Sequence, residues 1–340
     1  MRLVQTLVVR DEADVVDAQI AYHLNAGVDC VIATDHDSRD GTTEILERYE
    51  REGYLHLIRE RGEVVETQWR TRMARLAATE HGADWVINTD ADEFWMPRRG
   101  TLKEVFTAIP ERVGVVWALS CHFVPRPDDG TFFAEHMTVR LSAEAALNDP
   151  TSPYRPHAKA AHRGDPDVVV RFGSHRVETQ LAPLPAWHPA DVLHFPYRSF
   201  EQYERKTVRR AQGDKPLGQY VRGLQARDQG RVEDVYGSLV IDDDALERGR
   251  AAGSLAVDTR LRDALRALHL DGDRFQLPAA GEEVLPSVED PARARFGLDD
   301  AAFRDAELVR LVRQLDVLRV GLDAVEARPW TRATRRRVRG

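Results

Sequence analysis

Apolar and polar positions in the first ninety residues switch repeatedly between two periods. The run LVQTLVV, Leu3 to Val9, is short and β-rich, and it precedes EADVVDAQIAYHLNAG, where Val15, Val16, Ile20 and Leu24 recur at helical spacing before Gly27 supplies a stop. The same signals then repeat. DCVIATD reads as a second strand, TTEILERYEREG as a second helix closed by Gly53, and YLHLIRE as a third strand. A longer helix, about Val64 to Glu80, leads into DWVINTD as the fourth strand. Strands apolar on both faces, alternating with helices at this spacing, predict a parallel sheet covered by helices on both sides. Ligands of such a doubly wound α/β unit belong at the carboxyl ends of its strands.

After Pro97 the rhythm breaks. VGVVWALSCHFV is a further strand, RPDDGTFF a turn, and residues 148 to 196 are rich in Pro, His and Gly with short apolar runs such as DVVVRF and DVLHF. This segment is expected to be a mixed-sheet extension and loops packed on the first half, giving one domain over residues 1–200. SFEQYERKTVRRAQ opens a charged helical region, 201–327, expected to pack on that domain. Within it Leu308, Leu311, Leu315, Leu318 and Leu322 follow the spacing of a short coiled-coil seam, which a helix packed on its own domain also satisfies.

The 340 residues carry a net charge of -8, and the last thirteen, RPWTRATRRRVRG, hold six arginines and no acid. The body is therefore more acidic than the total, with 42 bases against 56 acids, which argues against nucleic-acid binding. The basic tail, 328–340, is either a solvated terminus or a contact for anionic lipid at the inner membrane face. No apolar run reaches the length of a membrane span, and MRLVQTLVVRDE is charged too early for a signal peptide, so the expected location is the cytoplasm. Cys30 and Cys121 form no metal-ligand spacing and read as free thiols in apolar runs. No oligomeric state is implied.

Three of the four strands end in polar signatures, VVRDE, ATDHDSRDGT and NTDADEF, at the edge where a ligand belongs. If Asp90 and Asp92 continue the fourth strand they are two apart and face the same side, so they can share a divalent cation or divide it with a ribose. Oxygen ligands indicate Mg²⁺ or Mn²⁺, bound partly through substrate phosphates. The alternative is that both acids cap a helix or solvate a turn. Two carboxylates at the mouth of an apolar strand raise each other's pKa, and a cation would relieve that cost. Asp35 ends the second strand and is placed to accept hydrogen bonds from a base or ribose, whereas Ser38 to Thr42 reads as an ordinary strand-to-helix turn.

Taken together, RDEADVVDAQIAYHLNAGVD, DHDSRDGTTEIL and WVINTDADEFW resemble the family 2 glycosyltransferases and relatives of GT-A fold that carry a DxDEF motif. The resemblance spans about residues 1 to 210, with Asp11 where the family more often has Asn. It implies a doubly wound, mostly parallel sheet and a nucleotide-diphospho-sugar donor. In that family the first strand end and the acid of the second hold the nucleotide, which maps to Val9, Arg10, Glu12 and Asp35. The DxD pair, Asp90 and Asp92, binds the metal and the donor's ribose and phosphates, with His175 as the matching later ligand and Lys159 at the position of a family lysine. LHFPYRSFEQYERK makes His194, Arg198 and Lys206 candidates for diphosphate contact, although the two basic residues also fit a solvated helix face.

The implied reaction is metal-dependent transfer of the sugar to a hydroxyl of a glycan or small-molecule acceptor, inverting and non-processive. A base must then deprotonate the acceptor. Asp129 in PRPDDG is the nominee, though D-D-G is also a common turn; Asp191 and Glu93 are expected to face away from the site. A nucleotidyltransferase shares the sheet and metal logic, but its usual glycine-rich loop after the first strand is missing from VVRDEADV. A phosphatase with an aspartyl nucleophile places its acids on the first strand instead. A binding module that kept the fold and lost the base is the third alternative.

Overall fold

Four parallel strands, β1 (Leu3–Val9), β2 (Cys30–His36), β3 (Leu55–Glu60) and β4 (Trp85–Asp90), are joined by helices α1 (Val16–Asn25), α2 (Thr42–Arg51) and α3 (Glu66–Thr79). These come from a computed structural model that describes residues 1–62, 66–98, 100–141, 154, 158–181, 184–187, 190–211, 218–268, 270–271 and 274–275. Each strand lies within a residue of the run expected for it; β1, β2 and β4 are buried along nearly their whole length, whereas the edge strand β3 alternates buried and half-exposed positions. The α1 side of the sheet buries Leu3, Leu7, Val31 and Ile87 against Val16 and Ile20 of α1 and Leu46 and Tyr49 of α2. The other face packs Val4, Ile32 and Val86 on Met73 and Ala77 of α3. The unit is doubly wound.

The second half adds β5 (Glu93–Pro97), α4 (Leu102–Ala108), β6 (Val113–His122), α5 (Phe133–His136), β7 (Val139–Leu141), β8 (Ala158–Arg163), β9 (Val169–Val170), β10 (Val177–Glu178), β11 (Leu184–Trp187) and β12 (Ala190–His194). Among the described residues the main sheet has nine strands and runs β3-β2-β1-β4-β8-β6-β12-β5, with β11 also on β6. β8 lies antiparallel between β4 and β6, which makes the extension mixed. A helical C-terminal region follows, with α6 (Phe200–Ala211), α7 (Gly218–Asp228), α8 (Val232–Gly237), α9 (Asp243–Ala251), β13 (Leu255–Val257) and α10 (Arg260–Ala267). The architecture is of GT-A type. The leucine seam at 308–322 and the basic tail at 328–340 lie outside the described residues. Among the described residues no helix is long and apolar enough to cross a membrane.

Four polar side chains buried on β1 and β4 pair across the strands. Thr6 Oγ1 donates to Asn88 Oδ1 at 2.8 Å, Asn88 Nδ2 to the Ala160 carbonyl at 3.0 Å, and Gln5 Nε2 to Thr89 Oγ1 at 2.9 Å, which fixes β1, β4 and β8 in register. At the far end of the sheet β5 pairs, among the described residues, only with β12, so its outer backbone groups need other partners. The YHL sequence of α1 supplies them: the Tyr22 hydroxyl donates to the Trp95 carbonyl and His23 Nε2 accepts the Trp95 N–H, each at 3.1 Å. His23 Nδ1 carries the proton, donated to the Gln19 carbonyl at 2.7 Å.

Burial, partly offset by that bond, pushes the His23 pKa from 6.5 to about 4. The unfolded chain therefore binds the proton first as pH falls. The stability that neutral His23 contributes is complete above pH 6.5 and is lost toward pH 4, a change of about 3 kcal/mol. Urea unfolding of His23→Gln should show a correspondingly flatter loss of stability across that window. An unchanged pH slope would mean that His23 is not buried neutral.

Candidate active site at the carboxyl edge

β4 stops at Asp90, Ala91 and Asp92 form a turn, and Glu93 opens β5. Asp90 and Asp92 thus do not share a strand, and the alternation expected to put them on one side does not apply. The turn is held from two directions. Phe195 N–H, just beyond β12, donates to the Asp92 carbonyl at 2.9 Å, and the Glu93 carboxylate accepts the Asp90 N–H at 3.1 Å. Glu93, expected to face away, instead folds back toward both aspartates for this reason.

Each aspartate meets buried bases. Asp90 accepts from Arg70 Nη2 and from Lys159 Nζ at 2.6 Å, and Lys159 lies 3.0 Å from Glu93 Oε1. Arg70, fully buried on α3, is itself held by Glu66 and, at 3.1 Å, by Ser174 Oγ. Asp92 accepts from Lys206 Nζ at 2.6 Å, with His194 Nε2 at 3.6 Å and Arg198 Nη1 at 3.9 Å. Burial alone would raise both carboxyls. Arg70 and Lys159 outweigh it at Asp90, and Lys206, His194 and Arg198 do so at Asp92, so both stay ionised well below the usual carboxylate range. Glu93 differs: its burial is only partly offset by Lys159, while Asp90 and Asp92 push the same way, so its pKa is raised. The strand end is therefore not left unbalanced for a ligand to complete, as a DxD pair read in isolation suggests, because α3, β8 and α6 deliver bases from three other parts of the chain.

The first strand end joins the same network. Arg198 donates to Glu12 Oε2, to both oxygens of Asp14 at 2.7 and 3.0 Å, and to the Phe195 carbonyl at 3.1 Å. Arg209 of α6 donates to the Arg10 carbonyl at 2.6 Å, tying that helix to the end of β1. Val9 pairs in register with Asp35. Arg10 Nη1 lies 3.3 Å from His36 Nδ1, whose ring packs 4.9 Å from Trp69. Asp35 accepts from the Ser38 hydroxyl at 2.6 Å and the Thr43 hydroxyl at 2.5 Å, so both carboxylate oxygens brace the turn into α2. Asp11 has φ 53, a left-handed conformation that Asn and Asp tolerate best, and this accounts for the residue types at that position.

Asp92, Glu93 and His194 place one ligand atom each within 4.8 Å of one another. His194 is therefore the imidazole grouped with the DxD motif. His175 is outside that group but lies in the field of Lys159 and Asp90: its Nδ1 lies 2.8 Å from the Ala158 carbonyl, and its ring packs on Gly173, whose φ of +64 and lack of a Cβ leave room for it. His122 Nδ1 lies 2.9 Å from His194 Nδ1, so His194 is oriented from behind. Asp129 is in an exposed turn, accepting from the Thr131 N–H at 3.0 Å and hydroxyl at 2.5 Å, with His136 at 3.4 Å. Asp191 lies 2.7 Å from Arg260. Sequence reasoning missed Asp14, Arg70 and His122 altogether, and in a charged chain nothing but burial sets Arg70 apart.

Residues 4–113 match the sequence model of glycosyltransferase family 92. The match covers β1 through β4, the DxD turn and α4, about a third of the chain. No curated protein sequence matches. Among solved structures, S. aureus TarS 1-349 in complex with UDP is 12% identical, covering 84% of this chain and 100% of that one at a TM-score of 0.36. TarS 1-349 in a second crystal structure is 14% identical over 65% of this chain and 68% of that one, with a TM-score of 0.35. GalNAc-T7 with UDP, GalNAc and Mn²⁺ is 13% identical over 61% of this chain and 48% of that one, again at 0.36. Likenesses this low carry no functional argument.

Proposed function

We propose that this chain is a metal-dependent glycosyltransferase that moves a sugar from a nucleotide-diphospho-sugar to an acceptor hydroxyl in a single, inverting transfer. The observation that carries it is the grouping of Asp92, Glu93 and His194 at the carboxyl edge of a doubly wound sheet, beside the strand ends that carry Arg10 and Asp35. Two carboxylates and an imidazole fit Mn²⁺ or Mg²⁺, with Asp90 two residues before Asp92 at the end of β4. Bound there, the cation would neutralise charge developing on the departing diphosphate.

The chain's own residues have separate tasks in this proposal. Val9, Arg10, Glu12 and Asp35 line the nucleoside end, with Asp35 held in place by Ser38 and Thr43. Lys159 and Lys206 keep Asp90 and Asp92 ionised, and Arg198 positions Glu12 and Asp14 beside them. Asp129 is the nominee for the base that takes the acceptor proton. Thr131 holds its carboxyl below the usual range, which leaves it ionised but a weak base.

A thermal-shift panel of UDP-, GDP- and dTDP-sugars with and without Mn²⁺ tests the proposal. One nucleotide class should raise Tm only when the metal is present, since a ligand at about 100 times its Kd stabilises the native state by about 2.7 kcal/mol. Absence of a metal-dependent shift with every donor would count against it.

A further inference from the structure

We propose that Arg210, in the last turn of α6, receives the terminal phosphate of the donor's diphosphate. The assignment rests on the glycosyltransferase proposal and adds to it a residue whose sequence context, KTVRRAQ, gives no sign of a ligand.

The other bases of the carboxyl edge are already engaged. Arg70 is held by Glu66 and Asp90, Lys159 by Asp90 and Glu93, Arg198 by Glu12 and Asp14, and Lys206 by Asp92 and the Pro196 carbonyl. Each of these already has a buried carboxylate partner with which a phosphate would have to compete. Arg210 stands differently: it is exposed, and among the described residues its guanidinium has no hydrogen-bond or ion-pair partner.

Its position comes from helix geometry. Lys206 and Arg210 are four residues apart on one face of α6, and Lys206 Nζ is 2.6 Å from Asp92. Arg209 anchors the same turn at the end of β1 through the Arg10 carbonyl. The last turn of α6 is thereby fixed over the ends of β1 and β4. The electrostatics agree: although the side chain reaches solvent, desolvation by the surrounding chain is the largest single influence and lowers the Arg210 pKa, and Glu66, Tyr220, Asp90 and Asp92 together outweigh it. An unengaged guanidinium in the field of the DxD acids, with a fork that matches phosphate oxygens, suits an anion delivered next to a cation on those acids. The plain alternative is a solvated arginine favoured by the helix C-terminus.

Calorimetric titration of UDP and GDP, and of UMP and GMP, in MnCl₂ decides between them. For the nucleotide that wild type binds, Arg210→Ala should weaken the diphosphate at least tenfold and the monophosphate less than twofold, with Tm unchanged. Arg210→Lys should recover part of the loss. Equal diphosphate affinity in wild type and Arg210→Ala, equal losses for both nucleotides, or a large fall in Tm would each overturn the assignment. Failure of wild type to bind either diphosphate would overturn the glycosyltransferase proposal itself, and the assignment with it.

Discussion

Arg198→Ala is expected to destabilise the fold by about 3–5 kcal/mol, the usual consequence of removing one partner from a buried ion-pair network. Arg198 is almost completely buried and holds Glu12 and Asp14, with Asp92 a further 3.9 Å away. Without it Glu12, whose pKa burial already raises against the pull of Arg198, would lose its main counter-charge. The structure also predicts a graded series. Arg198→Lys keeps the charge but cannot reach Glu12, Asp14 and the Phe195 carbonyl together, so it should recover only part of the loss. Urea unfolding midpoints check this. A loss under about 1 kcal/mol for the alanine variant would place Arg198 among surface ion pairs, contrary to its burial.

The second large effect is on turnover. Asp92→Asn should lower metal-dependent turnover of a nucleotide sugar about a thousandfold, equivalent to about 4 kcal/mol of transition-state stabilisation. Asparagine keeps the shape and one acceptor for Lys206, so the turn between β4 and β5 should persist and circular dichroism should be unchanged. The negative charge that Asp92 brings to its group with Glu93 and His194 is lost. Less than a tenfold fall in steady-state rate at saturating Mn²⁺ would remove Asp92 from the proposed chemistry.

The limits of β1 to β4 and the doubly wound order were legible because short β-rich runs alternate with helical periods closed by glycines, and Asp35 and Asp90 fell at the strand ends as expected. The extension was less so. WVINTDADEFW looks like one strand but is two, β4 and β5, lying in the same sheet with β8, β6 and β12 between them. That break undid the expectation that Glu93 faces away, since a turn rather than strand alternation sets its direction. The bases that balance Asp90 were half visible. Lys159 stood out through the family resemblance, whereas Arg70 sits in a helix with Arg72 and Arg75, and only the fold distinguishes the one that is buried. His194 entered as a phosphate contact, and its grouping with Asp92 and Glu93 depends on β12 pairing antiparallel with β5, a long-range contact no local pattern encodes.

The most direct test of the central claim is release of nucleoside diphosphate from a nucleotide sugar by wild-type protein, followed with Mn²⁺ and then with excess chelator. Turnover of at least one UDP- or GDP-sugar that requires the metal and collapses in Asp92→Asn is the predicted result. Release that is indifferent to chelator and to Asp92→Asn, or none from any donor that binds, would contradict it.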